Sequence, residues 1–317
     1  MILSRAFWTV APGRGEILSA SLIPSDPNNL LVDTVATGVS RGTEALVFAG
    51  RVPASQYQAM RAPLMEGAFP FPVKYGYSAA GHTADGTRVF VLHPHQDRFV
   101  APASMCIRIP DAVPTNRAVL AANMETALNI VWDAVPLPGE RTLVIGAGVV
   151  GLLTASLLAR MPGTSVTVVD VDRTRGTLAR SFGCEFVAPD DVPREQDLVI
   201  HASASEAGLR LALVCAGFEA RIIEASWFGD AAPAVPLGEA FHARRLRLIA
   251  SQVGAIAPSM RGRRSHAERL RLALELLADS RYDALLEGPT RFEDMPDAMP
   301  RILAPGGLCH IITYGTE

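Results

Sequence analysis

The apolar positions change their rhythm near residue 114. Over the first 110 residues they come in short runs, such as Leu30 to Thr34, Arg88 to Leu92 and Arg98 to Ala101, divided by Pro- and Gly-rich turns. That pattern predicts a β-rich module. From Arg117 to Val135 they recur at helical spacing and stop at Pro136 and Pro138-Gly139, which predicts a helix and its end. Thr142 to Ile145 then reads as a buried strand, Val150 to Arg160 as a helix, and Ser165 to Val169 as a second buried strand. Leu198 to His201, Arg221 to Ala225 and Leu246 to Ala250 continue the alternation, so a parallel sheet covered by helices on both faces is expected. An amphipathic helix over Arg269 to Asp279 and a last strand over Leu308 to Thr313 complete the pattern.

A length of 317 residues fits two domains. With 49% hydrophobic and 19% charged residues and a net charge of −3, the chain has material for a core and no field to gather nucleic acid or an anionic membrane. No apolar stretch approaches a membrane span, and no signal-peptide core opens the chain. Four scattered cysteines, Cys106, Cys184, Cys215 and Cys309, form no C-x-x-C, so a reducing cytoplasm is the expected compartment. Of the 29 basic residues 28 are Arg, and Lys74 is the exception.

The sharpest chemical signal is Gly146-Ala-Gly148-Val149-Val150-Gly151, directly after one predicted strand and opening a helix. Glycines there permit the tight turn, close backbone approach to a pyrophosphate and close helix packing, while the helix N-terminus offers N–H groups and positive potential. Asp170 ends the next strand, 19 residues after Gly151, where a carboxylate can accept from the ribose hydroxyls of NAD. Arg173 and Arg175 follow and could hold the 2′-phosphate of NADP. NAD is therefore the expected cofactor, with NADP as the alternative.

A β-rich N-terminal module before this nucleotide fold resembles the medium-chain alcohol dehydrogenase/reductase superfamily. The pieces that carry the likeness are Ala36-Thr-Gly-Val-Ser-Arg-Gly-Thr-Glu44, Lys74-Tyr-Gly-Tyr-Ser-Ala-Ala-Gly81, Gly86-Thr-Arg-Val-Phe-Val91 and the glycine motif. The resemblance implies an α/β protein: a Rossmann doubly wound parallel sheet over residues 123–255, plus a β-rich GroES-like domain over 1–122, completed by 256–317. It also implies a homodimer acting on a small-molecule substrate. Zinc-dependent members place Cys and His-Glu ligands where this chain has Ser40 and Tyr77-Ser78, and a further ligand where it has Ala121 to Thr126. Serine and tyrosine are poor zinc ligands, so the likeness is to the zinc-lacking branch and no zinc is expected. Ser40 with Gly42-Thr-Glu44 and the short chain also resembles the dehydrogenase that acts on the hydroxyethyl group of bacteriochlorophyllide.

Hydride exchange with a carbonyl builds charge on oxygen, and without zinc a proton donor must meet it. Tyr77 is the first candidate acid, with Lys74 as a cation to lower its pKa, although strand alternation can place Lys74 on the opposite face. His93, at a position that lines the substrate pocket in relatives, is a second donor, and Ser40 offers a hydroxyl in the loop with Thr43 and Glu44. The resemblance places Arg41 at the cofactor pyrophosphate and Glu125 and Thr126 beside the nicotinamide. Ser203 and Ser226 are expected at the cofactor too, since each follows a strand end, and Trp227 is expected to wall the pocket. His95 is a candidate substrate contact or, with His93, part of a non-standard metal site. The expectation is an oxidoreductase of alcohols, ketones or activated alkenes. The alternatives are a non-catalytic NAD(H)-binding sensor or partner protein and an enzyme with metal at His93 and His95.

Overall fold

The computed structural model describes residues 2–22 and 26–315. The chain divides into two units, Met1–Ala122 with Leu270–Glu317, and Asn123–Arg269. The second boundary falls later than position 256. Ala257 N–H donates to Asn129 Oδ1, Ser259 Oγ to the Trp132 carbonyl, and Arg269 to Glu125 and Asn129, which ties residues 256–269 to the nucleotide unit.

That unit holds a six-stranded sheet. In chain order its strands are Arg141–Ile145, Ser165–Val169, Glu185–Val187, Gln196–His201, Ala216–Glu224 and Arg247–Ala250. Every pairing is parallel, and the spatial order is 3-2-1-4-5-6, the doubly wound arrangement that binds nucleotides at its carboxyl edge. Leu143, Val199 and Ile222 are fully buried on these strands, which is why the sequence shows continuous rather than alternating apolar runs.

The other unit has a four-stranded sheet and a seven-stranded one. A long hairpin, Ile2–Ala11 with Arg14–Leu22, forms most of the first. The second is built around Asn29–Val39, which pairs with Ala79–Thr83, Arg98–Pro102 and the returning strand Cys309–Thr313, all antiparallel. The helix expected over 117–135 is two, Thr115–Ala118 and Ala121–Ala134. Between them the Val119 carbonyl accepts from the buried Ser78 hydroxyl, so it is turned away from a continuous helical ladder. The helix expected from Arg269 begins at His266 and ends at Leu276. No helix of the described residues is long and apolar enough to cross a membrane.

Candidate active site

In the nucleotide unit, strand Arg141–Ile145 ends on Gly146, whose φ of +107° excludes most side chains. The helix Val149–Leu158 starts three residues later. A Cβ on Gly151 would lie 1.9 Å from the Gly146 carbonyl oxygen, whereas one on Gly148 would meet nothing within 4 Å. Gly151 is needed for packing, and Gly148 leaves the face of the turn open. The first N–H groups of the helix, from Val149 and Val150 onward, have no intrahelical acceptor. The residues present thus fit a dinucleotide pyrophosphate.

Asp170 holds the turn from the next strand. Its Oδ2 accepts from Ala147 N–H at 2.6 Å and its Oδ1 from Asp172 N–H at 2.8 Å. Arg175 pairs with Asp172 at 3.3 Å, and Arg173 is exposed. Thr126 and Trp227 are half-buried.

At the ends of the next two strands, residues paired in register by the parallel ladder, His201 and Glu224, form a polar cluster. His201 Nδ1 lies 2.7 Å from Glu224 Oε2 and Nε2 lies 2.7 Å from Ser203 Oγ. Ser203 Oγ is 2.8 Å from Ser205 Oγ. Glu224 Oε1 accepts from Ser226 N–H, and Ser226 Oγ accepts from Ala204 N–H.

In the β-rich unit, Tyr77 O–H donates to Ser40 Oγ at 2.6 Å. Burial first, then the charge of Glu44, pushes the phenol up to about 12. Glu44 lies in the helix Arg41–Phe48 and is buried. Its Oε1 accepts from Ser40 N–H at 2.7 Å, and its Oε2 from His95 Nε2 at 2.9 Å. His95 Nδ1 is 2.6 Å from Thr37 Oγ1, which is 3.1 Å from the Tyr314 hydroxyl. Gly76, with φ of +125°, gives the His95 ring its room, since a Cβ there would lie 2.9 Å from Cδ2.

Several expectations are corrected. Lys74 does not serve Tyr77: its ammonium is buried, donating to Glu66 Oε1 at 2.5 Å and Gln96 Oε1 at 2.6 Å, and desolvation lowers its pKa. Residue 74 stands on the short strand Val73–Lys74 in the four-stranded sheet, outside the reach of the phenol's hydrogen bonds. His93 is not a proton donor near neutrality. Its Nδ1–H donates to the Pro94 carbonyl, its ring stacks on Phe99 at 3.7 Å, and burial pushes its pKa down to about 3. His95 has both ring nitrogens engaged, by Thr37 and Glu44. The same bonds remove His95 as a metal ligand beside His93. Glu125 is held by Arg269 Nε at 3.0 Å in a buried ion pair, not presented to substrate. Arg41 directs its guanidinium to the Ile302 and Gly307 carbonyls rather than keeping it clear for a pyrophosphate.

Zinc does not suit the donor set. Ser40 and Tyr77 bond each other, Ser78 is spent on Val119, and His95 has no ring nitrogen to give. Among the described residues no group of three or more His, Cys, Asp or Glu side chains is placed to hold a metal ion.

The fold is that of medium-chain alcohol dehydrogenases. L-idonate 5-dehydrogenase from Escherichia coli superimposes with a TM-score of 0.80 at 13% identity over 99% of both chains. An E. coli protein described as a short chain alcohol dehydrogenase, solved with NADH, gives 0.78 at 16% identity over 98% of this chain and 99% of that one. In sequence, an uncharacterized zinc-type alcohol dehydrogenase-like protein of Haemophilus influenzae is 29% identical over 138 residues, 40% of this chain and 40% of that protein. The alignment therefore spans well under half of that relative's length. No family model matches the chain.

Proposed function

We propose that the protein is a zinc-independent, NAD(P)-dependent oxidoreductase that interconverts a carbonyl compound and its reduced form. The observation that carries this reading is the open glycine turn at Gly148, braced by Asp170 at the carboxyl edge of a parallel sheet. A neighbour of the same fold solved with NADH supports it. A bound nicotinamide would supply or take up the hydride.

The chain's own contribution is the proton. Tyr77 stays protonated near neutrality because burial and Glu44 hold it up at about 12. Its O–H is donated to Ser40 Oγ, so Ser40 can pass its own proton to a developing alkoxide and be resupplied by the phenol. Glu44 fixes Ser40 by accepting from its backbone N–H. A cytoplasmic homodimer with a small-molecule substrate remains part of the proposal.

The test is fluorescence titration with NADH and NADPH, then a panel of ketones and enones followed at the nicotinamide absorbance, with metal content measured on the same sample. Saturable nucleotide binding, turnover without stoichiometric zinc and a loss of about 10²-fold or more in kcat for Tyr77→Phe are expected. Nucleotide binding without turnover across the panel would favour the sensor reading. One zinc per chain would overturn the metal-free chemistry.

A further inference from the structure

His201, Glu224 and Ser203 lie outside the proton chemistry just described, yet they hold a defined arrangement. The Glu224 carboxylate accepts on both oxygens, from Ser226 N–H and from the imidazole. A carboxylate only accepts, so Nδ1 carries its hydrogen toward Glu224, and the ring presents Nε2 to the Ser203 hydroxyl at 2.7 Å. His201 is fully buried, so the ring is fixed, while Ser203 is half-buried and Ala204 and Ser205 beyond it are exposed. The adjoining helix, Glu206–Cys215, has been cleared for this contact. A Cβ on Gly208 would lie 2.3 Å from Ser203 Oγ and 2.7 Å from His201 Nε2, and a glycine inside a helix costs about 1 kcal/mol against alanine. Hydroxyl, imidazole and carboxylate in this order, at hydrogen-bond distance, are the working parts of acyl transfer on unrelated folds.

We propose that Ser203 is a nucleophile activated by His201 and Glu224, and that this cluster hydrolyses small carboxylic esters. Ser203 Oγ bonds to the ester carbonyl carbon as its proton moves to His201 Nε2. The acyl C–O bond then breaks, and the departing alcohol leaves with that proton. Water, losing a proton to the same nitrogen, attacks the acyl-serine carbonyl, and Ser203 regains its proton as the carboxylic acid departs. Glu224 accepts from His201 Nδ1 throughout and holds the ring in place. The N–H groups of Glu206 and Ala207, in the first turn of their helix, have no intrahelical acceptor and supply positive potential for the oxyanion.

The experiment uses the whole protein with 4-nitrophenyl acetate and, separately, a fluorophosphonate, with the labelled peptide located by mass spectrometry. The adduct is expected on Ser203. Ester turnover should fall about 10³-fold in Ser203→Ala and at least tenfold in Glu224→Gln. Thermal midpoints verify that each variant is folded, and should Ser203→Ala not fold, Glu224→Gln decides alone. Equal labelling in wild type and folded variants, or an adduct on any other residue, overturns the proposal. NADH titration of the unlabelled wild type is read independently, so a failed nucleotide reading and a failed esterase are told apart.

Discussion

The two units each contain a hydroxyl, an imidazole and a carboxylate in line, and they differ in where the line ends. In the β-rich unit Thr37, His95 and Glu44 are closed at one end by Tyr314 and at the other by the Ser40 backbone. Thr37 has no exposed surface. In the nucleotide unit Ser203, His201 and Glu224 end on an exposed loop. The groups are of the same kinds, but the imidazole is reversed, with Nδ1 facing the hydroxyl in the first line and Nε2 in the second, and the second line alone reaches exposed backbone. Sealed, every lone pair and proton is spent on the fold. Open, the hydroxyl keeps a face for something that is not protein.

Cutting each carboxylate is the strongest way to test that contrast. Glu44→Ala takes the carboxylate from the buried His95 imidazole and from the half-buried Ser40 N–H and should cost about 3–5 kcal/mol in urea unfolding. Glu224→Ala removes a side chain that is 15% exposed against 5% for Glu44, so water can enter in its place beside the buried His201, and it should cost about 1–3 kcal/mol. Equal losses would erase the distinction between brace and site.

His93 sharpens the comparison because it is an imidazole with a carbonyl in place of a carboxylate partner. Burial holds its folded pKa at about 3, below the ordinary value of 6.5. The unfolded chain therefore binds a proton that the folded one refuses between those values. The stability this group protects is whole above pH 6.5 and is lost as pH falls toward 3, at about 1.4 kcal/mol per pH unit. His93→Phe, which keeps the stack on Phe99, should make the acid limb of a stability-versus-pH curve shallower by that slope. An unchanged limb would mean the ring already accepts a proton in the fold.

Legibility followed sequence distance. The strand, glycine turn, helix and Asp170 lie within 30 residues, and each has a periodicity or spacing of its own, so the nucleotide unit could be read directly. The pairs that decide the chemistry of the other candidates are far apart: Glu44 and His95 are separated by 51 residues and Glu125 and Arg269 by 144. Nothing local in Glu125 shows that an arginine will fill its pocket, and nothing in Lys74 shows that its ammonium will find Gln96. One signal was available. His201 and Glu224 each end a buried apolar run on consecutive parallel strands, and matched strand ends in such a sheet are neighbours. The N-terminal hairpin was hidden because Arg14–Leu22 is largely exposed and shows no continuous apolar run.

The smallest expected effect belongs to the residue that stood out most in the composition. Lys74 is buried, but its carboxylate partner is not: the side chains are 3% and 60% exposed. Removing the ammonium therefore returns Glu66 to water, and the one group left short is Gln96 Oε1, whose amide nitrogen still donates to Ser4 Oγ and the Arg98 carbonyl. A lost neutral acceptor costs about 1 kcal/mol, and the relief of a desolvated charge offsets it. Lys74→Met should thus change unfolding free energy by less than about 1 kcal/mol, while Lys74→Arg, which forces a planar guanidinium into the space of an ammonium, should cost about 1–3 kcal/mol. Neither should move the pH profile of nicotinamide-linked turnover, because the phenol of Tyr77 bonds Ser40 and not Lys74. A shift of that profile in Lys74→Met would restore the lysine to the chemistry and mean that the Tyr77 phenol does not act through Ser40 alone.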